Sequence, residues 1–170
     1  MFKIAAASLL AITATSGAQA AETSGGATAE AALRGPDGAS MGEAMLESTP
    51  HGVLVHVRVE GLSPGAHGIH LHAVGSCSPD FKAAGGHIRT SGNEHGLRNP
   101  KGPEAGDLPN LYAAADGRAE AEFFTALVDM KTLLDSDGSA VVIHAHPDDQ
   151  LTQPIGGSGD RVACGVIKAS

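Results

Sequence analysis

The sequence predicts an all-β protein, a sandwich or a flattened barrel, from two patterns that run along the chain. In the first pattern, apolar and polar residues alternate with a period of two, which is typical of strands that bury one face. In the second, clusters of turn residues rich in Gly, Pro and Asp separate the alternating segments, while helical periodicity is nearly absent. Only residues Leu127 to Leu134 have the spacing of a short helical turn.

Four segments carry the strand pattern. The most regular has valine at every second position from Val53 to Val59. The next alternates small or aromatic residues with charged ones, and the last two are short runs rich in β-branched residues. In chain order the predicted strands are 53–60, 118–123, Ala140 to His144 and Arg161 to Lys168, separated by turns that include Gly35 to Gly38, Gly61 to Gly65, Asp116-Gly117 and Asp137-Gly138.

Composition and charge limit the possible partners. The 170 residues, of which 42% are hydrophobic and 18% charged, fit one globular domain and argue against disorder across the whole chain. The formal net charge of −8 argues against nucleic acid or an anionic membrane as the main partner, because both would repel the protein at long range. A local patch of positive charge on an otherwise acidic protein remains compatible with this net charge.

The N-terminus predicts a secretory signal peptide at residues 1–20. Lys3 supplies the positive charge, Ile4 to Ile12 is almost entirely apolar, and Ala18-Gln19-Ala20 forms a cleavage site of small residues. The alternative is a buried N-terminal helix; a membrane span is excluded because it takes about 20 apolar residues, and no other stretch is long enough either. We therefore expect a periplasmic or otherwise exported protein, with a flexible tail at 21–26 and one domain at 27–170.

Export changes the expectation for the two cysteines, Cys77 and Cys164. An oxidising compartment favours a disulfide, and with two cysteines there is one possible pairing. The alternative is a pair of unpaired buried thiols. Cys77 lies in a stretch from Ala73 to Leu111 without alternation, and so long a loop inside a compact domain is usually functional. A disulfide and bound metal are the two candidates for ordering it.

Histidines supply the candidate metal ligands. His70 and His72 lie two positions apart on a predicted strand, so both side chains leave the same face, and His144 ends another strand. Imidazole suits copper, zinc, iron and nickel, and carboxylate is a further common zinc ligand. The long loop adds His87, His95, Glu104 and Asp107, whereas His51 in a turn and His56 on a solvated strand face are assigned no metal role.

These residues resemble the copper-zinc superoxide dismutases, and in particular the exported bacterial type. The resemblance spans about Ala27 to Ala169 and rests on five motifs: GAHGIHLH at 65–72, GGH at 85–87, GDLP at 106–109, HAHPDD at 144–149 and RVACGV at 161–166. It implies an eight-stranded Greek-key β-barrel with long metal-binding loops. It also implies dismutation of superoxide to oxygen and hydrogen peroxide.

The resemblance also implies a role for each site residue. His87 resembles the imidazolate that bridges the two metals and passes a proton to the product, and Arg161 resembles the arginine that attracts the anion. Asp148 resembles the carboxylate that hydrogen-bonds to a ligand of each metal. The implied copper ligands are His70, His72, His87 and His144, the implied zinc ligands are His87, His95 and Asp107, and Cys77 and Cys164 match the family disulfide.

Glu104 is the one departure from the family pattern, since a third zinc histidine usually stands three residues before the zinc aspartate. A glutamate oxygen can bind zinc, so the site is expected to hold two histidines and two carboxylates. The alternative is that Glu104 is a solvated loop residue and the zinc site is weak, which would leave a copper-only dismutase.

A non-enzymatic protein of either of two classes is the alternative to a superoxide dismutase. A non-enzymatic exported copper-binding or buffering protein would need the histidines but would have no use for Arg161 or Asp148. A purely structural Greek-key module would leave the convergent histidines unexplained. The alternation leaves the oligomeric state open, and a homodimer is one of the states it allows.

Overall fold

The structure, a computed structural model, describes residues 26–89 and 92–170. The predicted signal peptide at 1–20 and all but the last residue of the predicted tail at 21–26 lie outside this part of the chain. Within the described residues no helix is long and apolar enough to cross a membrane.

Strands dominate the described residues. They form ten strands, one 3₁₀ helix at Phe81–Ala84 and one short α-helix, α1 (Met130–Leu133). The strands are β1 (Thr28–Arg34), β2 (Ser40–Thr49), β3 (Gly52–Val59), β4 (Gly65–His67), β5 (Ile69–His72), β6 (Leu111–Ala113), β7 (Ala119–Thr125), β8 (Ala140–His144), β9 (Arg161–Val166) and β10 (Lys168–Ala169).

The strands curl into an antiparallel barrel. Seven of them follow the order β5-β8-β9-β1-β2-β3-β7, β10 also pairs with β1, and β4 pairs with β6, which lies beside β7. β4 and β5 are two parts of one strand interrupted at Gly68, and β9 and β10 are two parts of one strand interrupted at Ile167. Counted in this way, eight strands surround the barrel. β3 and β7 are neighbours although β4, β5 and β6 separate them in sequence, which is the connection of a Greek key. The predicted fold class is confirmed.

The apolar stripe of β3 forms the centre of the core. Val53, Val55, Val57 and Val59 are all buried, and the residues between them are half-buried or exposed. Leucines and alanines of β1 and β2, together with Val141 and Ile143 of β8, complete the packing. The barrel interior therefore contains no tryptophan and few aromatic rings. The period-two prediction for this strand is therefore confirmed at each valine.

Three details of the strand prediction differ from the structure. The predicted run from Arg161 to Lys168 is interrupted at Ile167. The predicted helical turn is limited to α1, which begins after Asp129, whose carboxylate accepts a hydrogen bond from the Thr132 amide at 2.7 Å. β1 and β2 were not predicted, because the inward positions of β1 include the alanines Ala29 and Ala31, which have a weak strand preference by themselves.

The long loop folds back onto the free edge of β5. Backbone hydrogen bonds join Leu71 to both Ile88 and Gly106 at 2.8 to 2.9 Å. A side chain at Gly106 would lie 2.1 Å from the Leu71 carbonyl oxygen, so glycine permits this close approach. The disulfide between Cys77 and Cys164, with Cα atoms 5.9 Å apart, ties the start of the loop to β9, which confirms the predicted pairing.

Candidate metal centre

The alternation within β5 separates core residues from candidate ligands. Ile69 and Leu71 belong to the hydrophobic core, while His70 and His72 leave the opposite face. Both histidines are fully buried, with ring centroids 6.3 Å apart. β8 pairs with β5, and the His144 amide donates to the Gly68 carbonyl at 2.8 Å, which brings the third histidine to the same face.

The folded-back loop brings the remaining candidates to this face. Isolated β-bridges pair His72 with His87 and His70 with Asp107. These pairings place the first loop histidine and the aspartate directly beside β5, although they lie 15 and 37 positions along the chain from their partners. The backbone of the loop, rather than any strand, therefore assembles this half of the site.

Four buried ring nitrogens face one another without a hydrogen-bond partner in the described part of the chain. They are His70 Nδ1, His72 Nε2, His87 Nε2 and His144 Nε2, and the same four residues form one group whose candidate ligand atoms all lie within 4.8 Å of one another. A buried polar atom without a partner is costly, since native structures satisfy nearly all such atoms. A metal ion that accepts four lone pairs resolves this cost, so the residues fit copper.

In three of these rings the other nitrogen, which points away from the cluster, donates a hydrogen bond to an oxygen. His70 Nε2 lies 2.7 Å from Asp148 Oδ2, His72 Nδ1 lies 2.9 Å from the Gly85 carbonyl, and His144 Nδ1 lies 3.1 Å from the Gly159 carbonyl. Because oxygen acceptors require a proton on that nitrogen, each ring keeps its lone pair on the nitrogen that faces the cluster. Their tautomers are thus set before any metal binds.

Burial also keeps these three rings neutral. It lowers the pKa of His70 to about 3, that of His72 to about 2 and that of His144 to about 4. Neutral imidazole is the form that binds a metal, so protons do not compete for these nitrogens near neutral pH.

A second cluster adjoins the first and shares His70 and His87 with it. His87 Nδ1 lies 3.0 Å from Asp107 Oδ1 and 2.9 Å from Glu104 Oε2, and His95 Nδ1 lies 2.8 Å from Asp107 Oδ1. His70, His87, His95 and Asp107 form a group whose candidate ligand atoms lie within 4.8 Å of one another. Glu104 is buried and directed at His87, so it is not the solvated loop residue of the alternative prediction.

Both nitrogens of His95 face carboxylates. Burial alone would lower its pKa, but hydrogen bonds to Asp107 and Asp148 outweigh burial and raise it to about 10. Burial raises the pKa of Asp107, but hydrogen bonds from His87 and His95 outweigh burial and hold it well below its usual range. His95 and Asp107, two of the candidate zinc ligands, are thus held in direct contact.

Asp148 connects the two clusters. Its Oδ2 lies 2.7 Å from His70 Nε2 and its Oδ1 lies 3.1 Å from His95 Nε2. Although burial raises the pKa of Asp148, the hydrogen bonds from these histidines hold it well below its usual range. Asn110 braces the aspartate, because its amide group exchanges two hydrogen bonds of 2.8 Å with the Asp148 backbone.

Arg161 lies close to His72, at the edge of the first histidine cluster. Its guanidinium donates to the carbonyl oxygens of Phe81 and Gly85, and it is only partly buried. The carbonyl of Gly85 also accepts from His72. The arginine is therefore held by the backbone of the loop that carries His87.

Three supporting residues were missed by sequence reasoning. His67 bonds through Nδ1 to the His144 carbonyl at 2.7 Å, and its place in the 65–72 motif was the available signal. Gln153 accepts from the His95 amide at 3.1 Å and donates to the His95 carbonyl at 2.8 Å. This residue and Asn110 give no signal, because isolated amides in loops are common. His51 and His56 belong to neither of the two candidate ligand groups.

An antiparallel Greek-key barrel with two adjoining histidine-rich clusters that have His70 and His87 in common defines a dinuclear metalloprotein. The sequence profile of the copper/zinc superoxide dismutases matches residues 40–167. The chain belongs to this family, and its metals are copper and zinc.

Individual relatives agree with this assignment. The superoxide dismutase [Cu-Zn] of Caulobacter vibrioides is 50% identical over 149 residues, which cover 83% of this chain and 86% of the relative. The crystal structure of a SOD-like protein from Bacillus subtilis matches with a TM-score of 0.73 at 39% identity, over 81% of this chain and 96% of that one. Cu/Zn superoxide dismutase from Brucella abortus matches with a TM-score of 0.71 at 31% identity, over 83% and 99%.

Proposed function

We propose that this protein catalyses the dismutation of two superoxide anions and two protons to oxygen and hydrogen peroxide. The observation that carries the proposal is the set of four unpartnered ring nitrogens, on His70, His72, His87 and His144. They give copper a nitrogen site next to the pocket that contains Asp107.

The assignment of ligands follows from which nitrogen each ring leaves free. His70 Nδ1 and the Nε2 atoms of the other three histidines would hold copper. The opposite nitrogen of His87, together with His95, Asp107 and Glu104, would hold zinc. The contacts of His87 Nδ1 with both carboxylates support this zinc set. Asp148 holds His70 and His95 in the orientation that each metal needs.

When bound, copper would supply the electron transfer between the two superoxide anions. The ring of His87 supplies a proton. In the reduced half of the cycle Nε2 would not be a copper ligand, and it would hold a proton taken up from solvent and transfer it to the peroxide as a general acid. Its other nitrogen faces Asp107 and Glu104, so the ring keeps its orientation while the proton at Nε2 comes and goes.

Arg161 attracts and orients the substrate. The protein carries a net charge of −8, so an incoming anion meets repulsion over most of the surface. The guanidinium stands beside the copper ligands with its position fixed by two carbonyl oxygens. It provides the local positive field that the overall charge lacks.

The alternative of a copper buffer is not favoured. Storage requires the histidines alone, whereas this chain also places Arg161 and Asp148 where anion binding and ligand orientation need them. A copper-only dismutase is disfavoured by the burial of Glu104 and by its contact with His87.

We also propose that residues 1–20 are a signal peptide cleaved after Ala20 and that the domain at 27–170 works in the periplasm, as a homodimer. The disulfide and the bacterial relatives are consistent with export. Exposed side chains of Tyr112 and Phe124 are candidates for a dimer contact. Mass spectrometry of the secreted protein and light scattering test the cleavage and the dimer.

The function is tested by metal content and superoxide dismutase activity of the purified protein. We expect one copper and one zinc per chain, and activity that disappears with copper in His144→Ala. His56→Ala, which removes a surface histidine outside both groups, should keep both metals and full activity. A protein that binds copper fully but does not consume superoxide would be a buffer.

A further inference from the structure

Arg89 reaches the zinc pocket through Glu104. The Arg89 Nε lies 2.7 Å from Glu104 Oε1, while the other carboxylate oxygen, Oε2, lies 2.9 Å from His87 Nδ1. The glutamate side chain is 6% exposed and the arginine side chain is 62% exposed. The carboxylate is thus shared between a metal ligand on its inner side and a guanidinium on its outer side.

The contact between Arg89 and Glu104 offsets part of the negative charge of the pocket. Glu104 and Asp107 contribute two negative charges, whereas a histidine in place of the glutamate would leave one. An uncompensated buried carboxylate is costly, and a fixed guanidinium reduces that cost without occupying the oxygen that faces His87. Arg89 brings the pocket with two carboxylates to the net charge of a pocket with one.

The loop backbone ties the arginine and the glutamate together a second time. The Arg89 guanidinium also donates to the Asn93 carbonyl at 3.3 Å, and the Asn93 amide group donates to the Pro103 carbonyl at 2.7 Å. Pro103 directly precedes Glu104. The orientation of the carboxylate is therefore coupled to the arginine through the side chain and through the loop.

We propose that Arg89 is a positioning residue of the zinc site, which holds Glu104 with one oxygen directed at the metal. This inference rests on the proposed function, since it requires Glu104 to bind zinc. A planar guanidinium suits this role better than an ammonium group, because it fixes the direction of its hydrogen bond to the carboxylate.

The experiment measures zinc affinity by competition with a chelator, in full-length mature protein that carries one equivalent of copper. Arg89→Ala should weaken zinc binding about three- to tenfold, and Arg89→Lys should recover part of the loss. Arg118→Ala is the matched control, because the Arg118 side chain is also mostly exposed, at 73%, and pairs only distantly with Glu60, at 3.7 Å. It removes the same charge from the protein and should leave zinc affinity unchanged.

Two further measurements separate positioning from a general structural effect. Cobalt bound in place of zinc should show a changed visible absorption spectrum in Arg89→Ala, because the carboxylate is no longer held in one orientation. In the Glu104→His background, which removes the carboxylate, Arg89→Ala should have no effect on zinc affinity. Equal losses in both backgrounds would overturn the inference.

The zinc affinity of Glu104→Gln distinguishes the proposal that Glu104 is a zinc ligand from the proposal that Arg89 positions it. If Glu104→Gln keeps wild-type zinc affinity, Glu104 is not a ligand and the zinc assignment itself fails. If Glu104→Gln weakens binding but Arg89→Ala behaves like Arg118→Ala, the ligand assignment stands and the role of Arg89 is refuted.

Discussion

Arg161 and His72 donate hydrogen bonds to the same acceptor, the carbonyl oxygen of Gly85, at 2.6 and 2.9 Å. One side chain is the proposed anion guide and the other is a proposed copper ligand. The shared carbonyl lies in the loop that the disulfide ties to β9, the strand that begins with Arg161. Substrate attraction and metal geometry therefore depend on one segment of backbone.

Arg161→Ala should slow superoxide consumption several-fold while copper content stays at the wild-type level. The Gly85 carbonyl still accepts from His72, so the copper ligand keeps its tautomer. Added salt should slow the wild-type enzyme more than the variant, because screening removes an attraction that the variant has already lost. The exposed Arg118→Ala serves as the charge control. An unaltered rate at low salt would show that Arg161 has another role.

Opening the bridge between Cys77 and Cys164 should lower thermal stability and loosen the loop. The sequence separation is 87 residues, and the chain-entropy estimate for so long a loop is roughly 4–5 kcal/mol as an upper figure. Hydrogen exchange should rise most between residues 73 and 89, where the loop would lose its covalent tie to β9. Two free thiols titrated in the native oxidised protein would contradict the bridge.

Asp148→Asn should weaken the binding of both metals, by about ten- to a hundredfold. The amide cannot accept from His70 and His95 at once, since one of its two positions is a donor. Metal stoichiometry after dialysis against a chelator measures the loss. The neighbouring Asp149→Asn is the control, because Asp149 is exposed and bonds only within its own turn. Loss of zinc alone, with copper unaffected, would refute a role for Asp148 at both sites.

The metal-free protein should be most stable near pH 6.5 and lose stability on both sides. Below that pH the unfolded chain binds protons at His70, His72 and His144 that the folded chain excludes, because their folded pKa values are lowered to about 3, 2 and 4. Each group removes about 1.4 kcal/mol of unfolding free energy per pH unit in that window. Above pH 6.5 the folded state keeps a proton on His95 up to about pH 10, so stability falls as pH rises.

Urea unfolding of chelator-treated protein at pH 5, 6.5 and 8.5 measures this profile. His56→Ala should leave its shape unchanged, since this histidine lies on the surface, outside the clusters. A free energy of unfolding that rises steadily from pH 5 to pH 8.5 would contradict the expected charge states of the buried histidines.

The elements that could be read from the sequence are those whose signal is local. Val53 to Val59 alternate with a period of two and therefore show their buried face without reference to any neighbour. His70 and His72 share a strand face for the same reason. β1 could not be predicted, because the sequence around Ala29 and Ala31 does not show that neighbouring strands bury them.

The sequence by itself determined the fold class, the cysteine pairing and the residue types that gather at the site. Only the tertiary structure decided which ring nitrogen faces the cluster, since that depends on the acceptor opposite each ring, such as Gly85 for His72. It also decided that Glu104 is buried against His87 and backed by Arg89. Spacing along the chain does not encode these contacts, because they form only when a long loop folds onto the edge of a distant strand.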